Sequence, residues 1–298
     1  MPTPDRFTPE EPLNIKSVNA LPTSLRLSGF PINYRALVIR LLTGTLNIRC
    51  QLTNDLIKQR NNYSKLVFVV NNRISTKTLS SAIPSVTLNT LGKYLTKNQS
   101  RHINFYKELF HEYANYFYYS KEVQYTRAFL HLYRIIEFSA YSFPIAWSSK
   151  SNDYLGTFKK LREYFGDTKR SELAAFKIFI NDFVDPTFLN SQITLNISSL
   201  HSSWQRRYYQ SIKFAINECK ITTISETPYS QIVIQGRNML DLAITLRNKY
   251  FHFLAGDGRN YNSEDIPDSN EFFKVINEPL TNWLAILLLQ LVEHEILN

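Results

Sequence analysis

From Arg101 onward, apolar residues recur at helix spacing in one segment after another, and this periodicity limits the possible folds more than anything else in the chain. Side chains three and four apart line one face of a helix. Residues 103–119 are aromatic and helix-periodic. Residues 123–143 contain FLHLYRIIEFSAYSF and predict a long helix stopped by Pro144, because proline lacks the N–H a helix interior needs. Segments 152–165 and 171–183 predict two shorter helices, the second ending before Pro186. A polar, β-branched stretch follows, then helices over 203–219 and 236–254. A polar, acidic loop, 256–270, leads to a last helix over 271–297, bent or restarted at Pro279. No repeat of 20 to 50 residues is visible, which argues against a solenoid. Residues 101–298 therefore predict a helical bundle.

The first hundred residues have a different texture. Residues 1–14 are rich in Pro and acid and read as a loose arm. Segments 24–28, 36–42, 45–52 and 65–70 carry alternating or β-branched apolar residues, the last ending in an Asn71-Asn72 turn signal. Residues 34–42 fit a helix as well as a strand. A Ser-, Thr- and Pro-rich linker over 75–85 precedes a short helix at 87–95. The expectation is a mainly α protein: a smaller β-rich or mixed α/β domain at 1–100, for sensing or partner binding, and the helical domain at 101–298.

Composition narrows the class. Apolar residues make up 44% and charged residues 20% of 298, enough for a real core. Only 8 glycines occur, which leans toward helix. The net charge of +9 favours polyanionic partners such as RNA. Two cysteines without a CxxC pair offer neither a disulfide framework nor zinc spacing. The opening MPTPDRFTPEEPLN has no basic or apolar run of a signal peptide. The longest apolar run, 283–289, falls short of the roughly 20 residues that span a bilayer. These features point to a cytoplasmic protein without a membrane segment.

The segment 236–254 carries the chemistry. At about 100° per residue, Asn238, Asp241, Thr245, Asn248 and His252 fall on one polar stripe. Leu240, Ala243, Ile244, Leu246, Phe251 and Leu254 make the apolar side, and Arg247 falls in the middle of that arc. A charge there needs a carboxylate, a phosphate or a route to water. Within this segment, Arg247-Asn248-x3-His252 resembles the R-x4–6-H motif of the HEPN nucleases. FLHLYRIIE, with Arg134 and Glu137, is similar to an early helix of the Apea-like HEPN group, which precedes the motif helix by about a hundred residues. The resemblance covers roughly residues 100–298; the first hundred match no family.

The resemblance implies metal-independent cleavage of RNA, with no cofactor, by attack of a 2′-hydroxyl on the adjacent phosphodiester. Arg247, Asn248 and His252 would be the catalytic residues. Histidine titrates near neutrality, and arginine offers a planar, permanently charged fork to phosphate oxygens. Glu137 is expected to reach and orient Arg247, unless it pairs with Arg134 on its own helix; Asp241 is a second orienting candidate. The resemblance also implies a homodimer with a composite active site, to which the polar stripe would be suited. A toxin or antiviral effector of this type would be switched on by an activator or held in check by an antitoxin protein.

Lys249, Arg206 and Arg207 are candidate RNA contacts. The last two lie in 203–213, where basic residues alternate with Trp204, Tyr208 and Tyr209, a pattern that tracks phosphates and stacks bases but also describes an ordinary bundle helix. Lys159, Lys160 and Arg162 read as a solvated face. The other histidines show no HExxH spacing. Gly256 and Gly258 follow a helix where a phosphate loop would precede one. A rival class is a catalytically silent helical module that uses RNKYFH to bind a partner protein or RNA.

Overall fold

The computed structural model describes residues 5–28, 32–166, 171–252 and 260–298. In chain order the first part holds β1 (Phe7–Glu10), α1 (Ile15–Asn19), α2 (Tyr34–Leu42), β2 (Asn47–Cys50), β3 (Leu56–Ile57), β4 (Asn61–Asn62), β5 (Val69–Val70), α3 (Thr76–Ser80) and α4 (Leu88–Lys97). The second part holds α5 (Ile103–Lys121), α6 (Tyr125–Ser148), α7 (Tyr154–Phe165), α8 (Glu172–Phe183), α9 (Pro186–Leu189), β6 (Gln192–Asn196), α10 (Ser202–Glu218), β7 (Ser225–Thr227), β8 (Gln231–Gln235), α11 (Met239–Phe251) and α12 (Ser269–Leu297). The protein is mainly α, with three small sheets among the described residues. Leu254, Gly256, Asp257 and Gly258 lie outside the described residues.

The centre is α6, packed against both α12 and α5. Every turn of α12 buries large side chains, from Phe272 and Phe273 to Leu291 and Val292. By length and apolarity α12 would reach across a membrane, but 83% of its most apolar window is buried inside the protein, as in a core helix that is hydrophobic all round. Contrary to expectation, α6 runs through Pro144 to Ser148. Its second half is held by packing: Trp147 meets Phe179 and Phe183 from α8 and stacks on His294 of α12 at 5.9 Å. Tertiary burial there outweighs the lost backbone bond. Pro279 likewise sits inside an unbroken α12.

Segment 34–42 takes the helical of its two readings. Asn33 caps α2 by accepting from the Ala36 N–H, and all of Arg35 to Leu42 is buried, which a one-faced strand would not achieve. The helix ends before Gly44 at φ 68°, where an added Cβ would lie 2.7 Å from the Arg60 carbonyl oxygen, so a side chain there is strained. Residues 24–28 form no strand; Thr23–Leu25 is a 3₁₀ turn. The expected arm is tied down as well: β1 pairs antiparallel with β2, which pairs with β3. The stretch 75–85 contains α3 rather than linker alone. Phe7, Leu37, Val38 and Ile48 share one apolar cluster with residues of α5, α6 and α12.

The helical part also contains an antiparallel sheet of order β6-β8-β7, which the helical expectation omitted. This sheet positions α11. Gly236, directly after β8, donates its N–H to the Ser191 carbonyl at 2.9 Å. Its own carbonyl accepts from the Trp283 indole at 2.8 Å. A Cβ at Gly236 would lie 2.6 Å from the Phe188 carbonyl oxygen, so the close approach requires glycine.

Candidate active site

Met239, Leu242, Ala243 and Leu246 form the buried face of α11, which packs against α10 and α12. Aromatic contacts fix its far end. Phe251 lies parallel to Phe129 of α6 (6.3 Å, 4°) and near-parallel to Phe273 of α12 (5.6 Å, 30°). Tyr250 meets Phe273 edge-on at 5.1 Å. The Tyr261 N–H donates to the Lys249 carbonyl at 3.0 Å, satisfying one of the carbonyls a helix end leaves open. The helix stops at Phe251, short of the expected Leu254. His252 is extended (φ −111°, ψ 121°) and exposed, while its N–H still bonds the Asn248 carbonyl at 3.1 Å.

Arg247 is half-buried on the α6 side. Its guanidinium carbon lies 4.8 Å from the Tyr133 ring centroid, and Nη1 donates to Asn248 Oδ1 at 3.2 Å. Among the described residues no carboxylate pairs with it. The expected Glu137 contact is not made: Glu137 is exposed on α6 without an ion pair to Arg247 or Arg134. Arg134 instead reaches the buried Glu112 at 3.0 Å, which also holds His131 Nδ1 at 2.7 Å. Tyr133, one turn before Glu137, takes the place against Arg247. Burial pushes its hydroxyl up from the ordinary value; the Arg247 charge opposes this and the Glu137 carboxylate adds to it. Sequence reasoning did not give Tyr133 this role, although Tyr133 and Glu137 share one arc of the FLHLYRIIE segment.

A cation over an aromatic face contributes about 0.5–2 kcal/mol. A double-mutant cycle of Tyr133→Leu with Arg247→Met should therefore show a coupling of about 0.5–2 kcal/mol in urea unfolding. Zero coupling would mean that the ring merely abuts the cation.

The rest of the stripe is largely engaged within the chain. Asp241 Oδ2 pairs with Lys177 of α8 at 2.6 Å, and Thr245 Oγ1 meets Cys219 Sγ at 2.9 Å. Asp241 thus ties α11 to α8 and does not orient Arg247. Lys249 is 5% exposed, paired with Glu218 at 2.6 Å and set 4.7 Å from the Phe214 ring; it is not placed to touch RNA. Arg206 and Arg207 are exposed on α10. Arg206 covers Tyr229 at 5.1 Å, and Arg207 donates to the Glu264 carbonyl at 2.6 Å. Arg207, Ser211, Phe214 and Tyr261 line a polar cleft of about 500 Å³ beside the end of α11.

Of the predicted residues, the structure gathers Arg247, Asn248 and His252 at one helix end. It leaves Glu137 apart, buries Lys249 and commits Asp241 elsewhere. Among the described residues no group of three His, Cys, Asp or Glu side chains is arranged as metal ligands. No protein-family model, no curated protein and no solved structure matches the chain.

Proposed function

We propose that this chain is an endoribonuclease of the HEPN type, cutting RNA without a metal. The observation that carries the reading is Arg247: a half-buried cation, backed by a ring and lacking a carboxylate partner among the described residues, close in sequence to an exposed histidine. Such a cation is set up to receive a phosphate rather than to close an internal pair. In this scheme the 2′-hydroxyl loses its proton as its oxygen attacks phosphorus. The bond to the 5′-oxygen breaks, leaving a 2′,3′-cyclic phosphate and a 5′-hydroxyl. Arg247 stabilises the charge on the phosphoryl oxygens. His252 moves a proton, and Asn248 holds the Arg247 fork from the same turn.

One histidine cannot at once take the first proton and supply the second, so a homodimer with a composite site completes the reaction. The activity fits a cytoplasmic toxin or antiviral effector, governed by an activator or antitoxin. The test is incubation of the purified chain with tRNA and single-stranded RNA in EDTA, with its mass measured in solution. Fragments ending in cyclic phosphate are expected from a dimer. Cleavage that EDTA abolishes, or fragments without a cyclic phosphate, would overturn the proposal; a folded dimer that leaves both RNAs intact leaves a required activator or a binding module.

A further inference from the structure

A second site lies between the start of α5, the second half of α6 and the end of α12. The cleft there measures about 580 Å³, within the range of small-molecule sites, roughly 300–1,000 Å³. Its walls are aromatic and aliphatic: Phe105, Phe138, Tyr141, Ile145 and Leu291 line it. Tyr141 and Ile145 remain 43% and 55% exposed.

The informative group is Glu295, which lines this cleft yet is only 5% exposed. A carboxylate so deeply buried needs partners. The two it has converge on one oxygen. The Tyr94 hydroxyl donates to Oε2, and Arg35 Nη1 lies 3.6 Å from the same atom. Oε1 accepts no hydrogen bond from the protein, and Glu295 lines the cleft. Arg35 does not serve it. Its Nη1 donates to Tyr94, its plane lies over Tyr106 at 4.2 Å, and Nε and Nη2 are buried without partners.

The other polar groups do not fill this gap. The Ser142 and Ser149 hydroxyls donate back to the Phe138 and Ala146 carbonyls of their own helix at 2.6 and 2.7 Å. Burial, with Arg101 and Arg35 nearby and Glu295 opposing them, holds the His102 imidazole below its ordinary value. Arg101 is an exposed cation on the lining, and Glu108 is an exposed anion on the same side. The cleft is therefore lined by a carboxylate with one oxygen that accepts no protein hydrogen bond, among aromatic rings. Its occupant must bring an apolar body and a donor; a positive donor gains from the carboxylate and the ring faces and is opposed by Arg35 and Arg101.

We propose that this cleft binds a small amphipathic amine, its ring-bearing body against the α6 aromatics and its nitrogen on Glu295. Tryptamine and its anionic counterpart indole-3-acetate separate this from mere apolar binding. Isothermal titration on the full chain at pH 7 should show one tryptamine bound, at least about tenfold tighter than indole-3-acetate. Glu295→Gln should weaken tryptamine by about ten- to a hundredfold, the value of a hydrogen bond to a charged group. Because Glu295→Gln also disturbs Arg35 and Tyr94, Ile145→Arg is the second variant. It crowds the cleft mouth, leaves that network untouched, and should weaken tryptamine with an unchanged melting temperature. No binding to the folded wild type at about 1 mM tryptamine, equal binding of the anion, or undiminished binding to Ile145→Arg would overturn the proposal.

Discussion

Cleavage of RNA in EDTA should fall about 10²–10⁴-fold in His252→Ala, the usual share of a general acid or base. His252 is exposed, lies just past α11 and ties back through its backbone N–H to the Asn248 carbonyl, a bond alanine keeps. Arg247→Ala should cost about 10²–10³-fold, as when a donor to transition-state charge is removed. It should also cost about 0.5–2 kcal/mol of stability, because the contact with Tyr133 goes with it. Arg247→Lys retains charge but not the fork, and should recover folding better than rate. Equal cleavage by wild type and both alanine variants would place the activity elsewhere or in a contaminant. Loss in both, with the solution mass unchanged, is the result that favours the composite site.

The long helices were legible because their signal is local. Segments 103–119 and 203–219 predicted α5 and α10 to within a few residues, since burial of one helical face writes a 3.6-residue period into the chain. Pro144 misled because its effect is local while the packing that overrides it is not; Phe179, Phe183 and His294 come from other helices. The β7–β8 hairpin did carry a signal, the run QIVIQ after Pro228, and went unread within a chain otherwise helical in this part. Among site residues, Lys249 shows a different lapse. It stands two places from Arg247, and two places on a helix is about 200°, which puts it on the opposite edge against Phe214 and Glu218. Adjacency in sequence was read as adjacency in space. The partners of Arg35, Arg40 and Glu112 could not be read at all, because they lie on distant segments and nothing local marks them.

Arg40 carries the largest expected effect on stability. It is fully buried, at 0% exposure, and Glu11 grips it with both oxygens, at 2.9 and 2.5 Å. The guanidinium also donates to the Leu25 and Thr45 carbonyls at 2.9 and 2.7 Å. One charged side chain thus joins α2, the turn after it, the 3₁₀ turn and the segment following β1. Removing only the carboxylate leaves the cation in place with no counter-charge, and breaking a buried pair in this way costs about 3–5 kcal/mol. Glu11 is 22% exposed, so water can partly replace it, and Glu11→Ala should fall near the low end, about 3 kcal/mol. Glu11→Gln keeps an acceptor on Arg40 and should lose less. Arg40→Met removes the stranded charge, so the double variant should be less destabilised than the sum of the two singles. Urea unfolding midpoints measure all four proteins. A loss below about 1 kcal/mol in Glu11→Ala would mean that the pair behaves as a solvated surface bridge, and that the β1–β2 ladder and Phe7 hold the N-terminal segment instead.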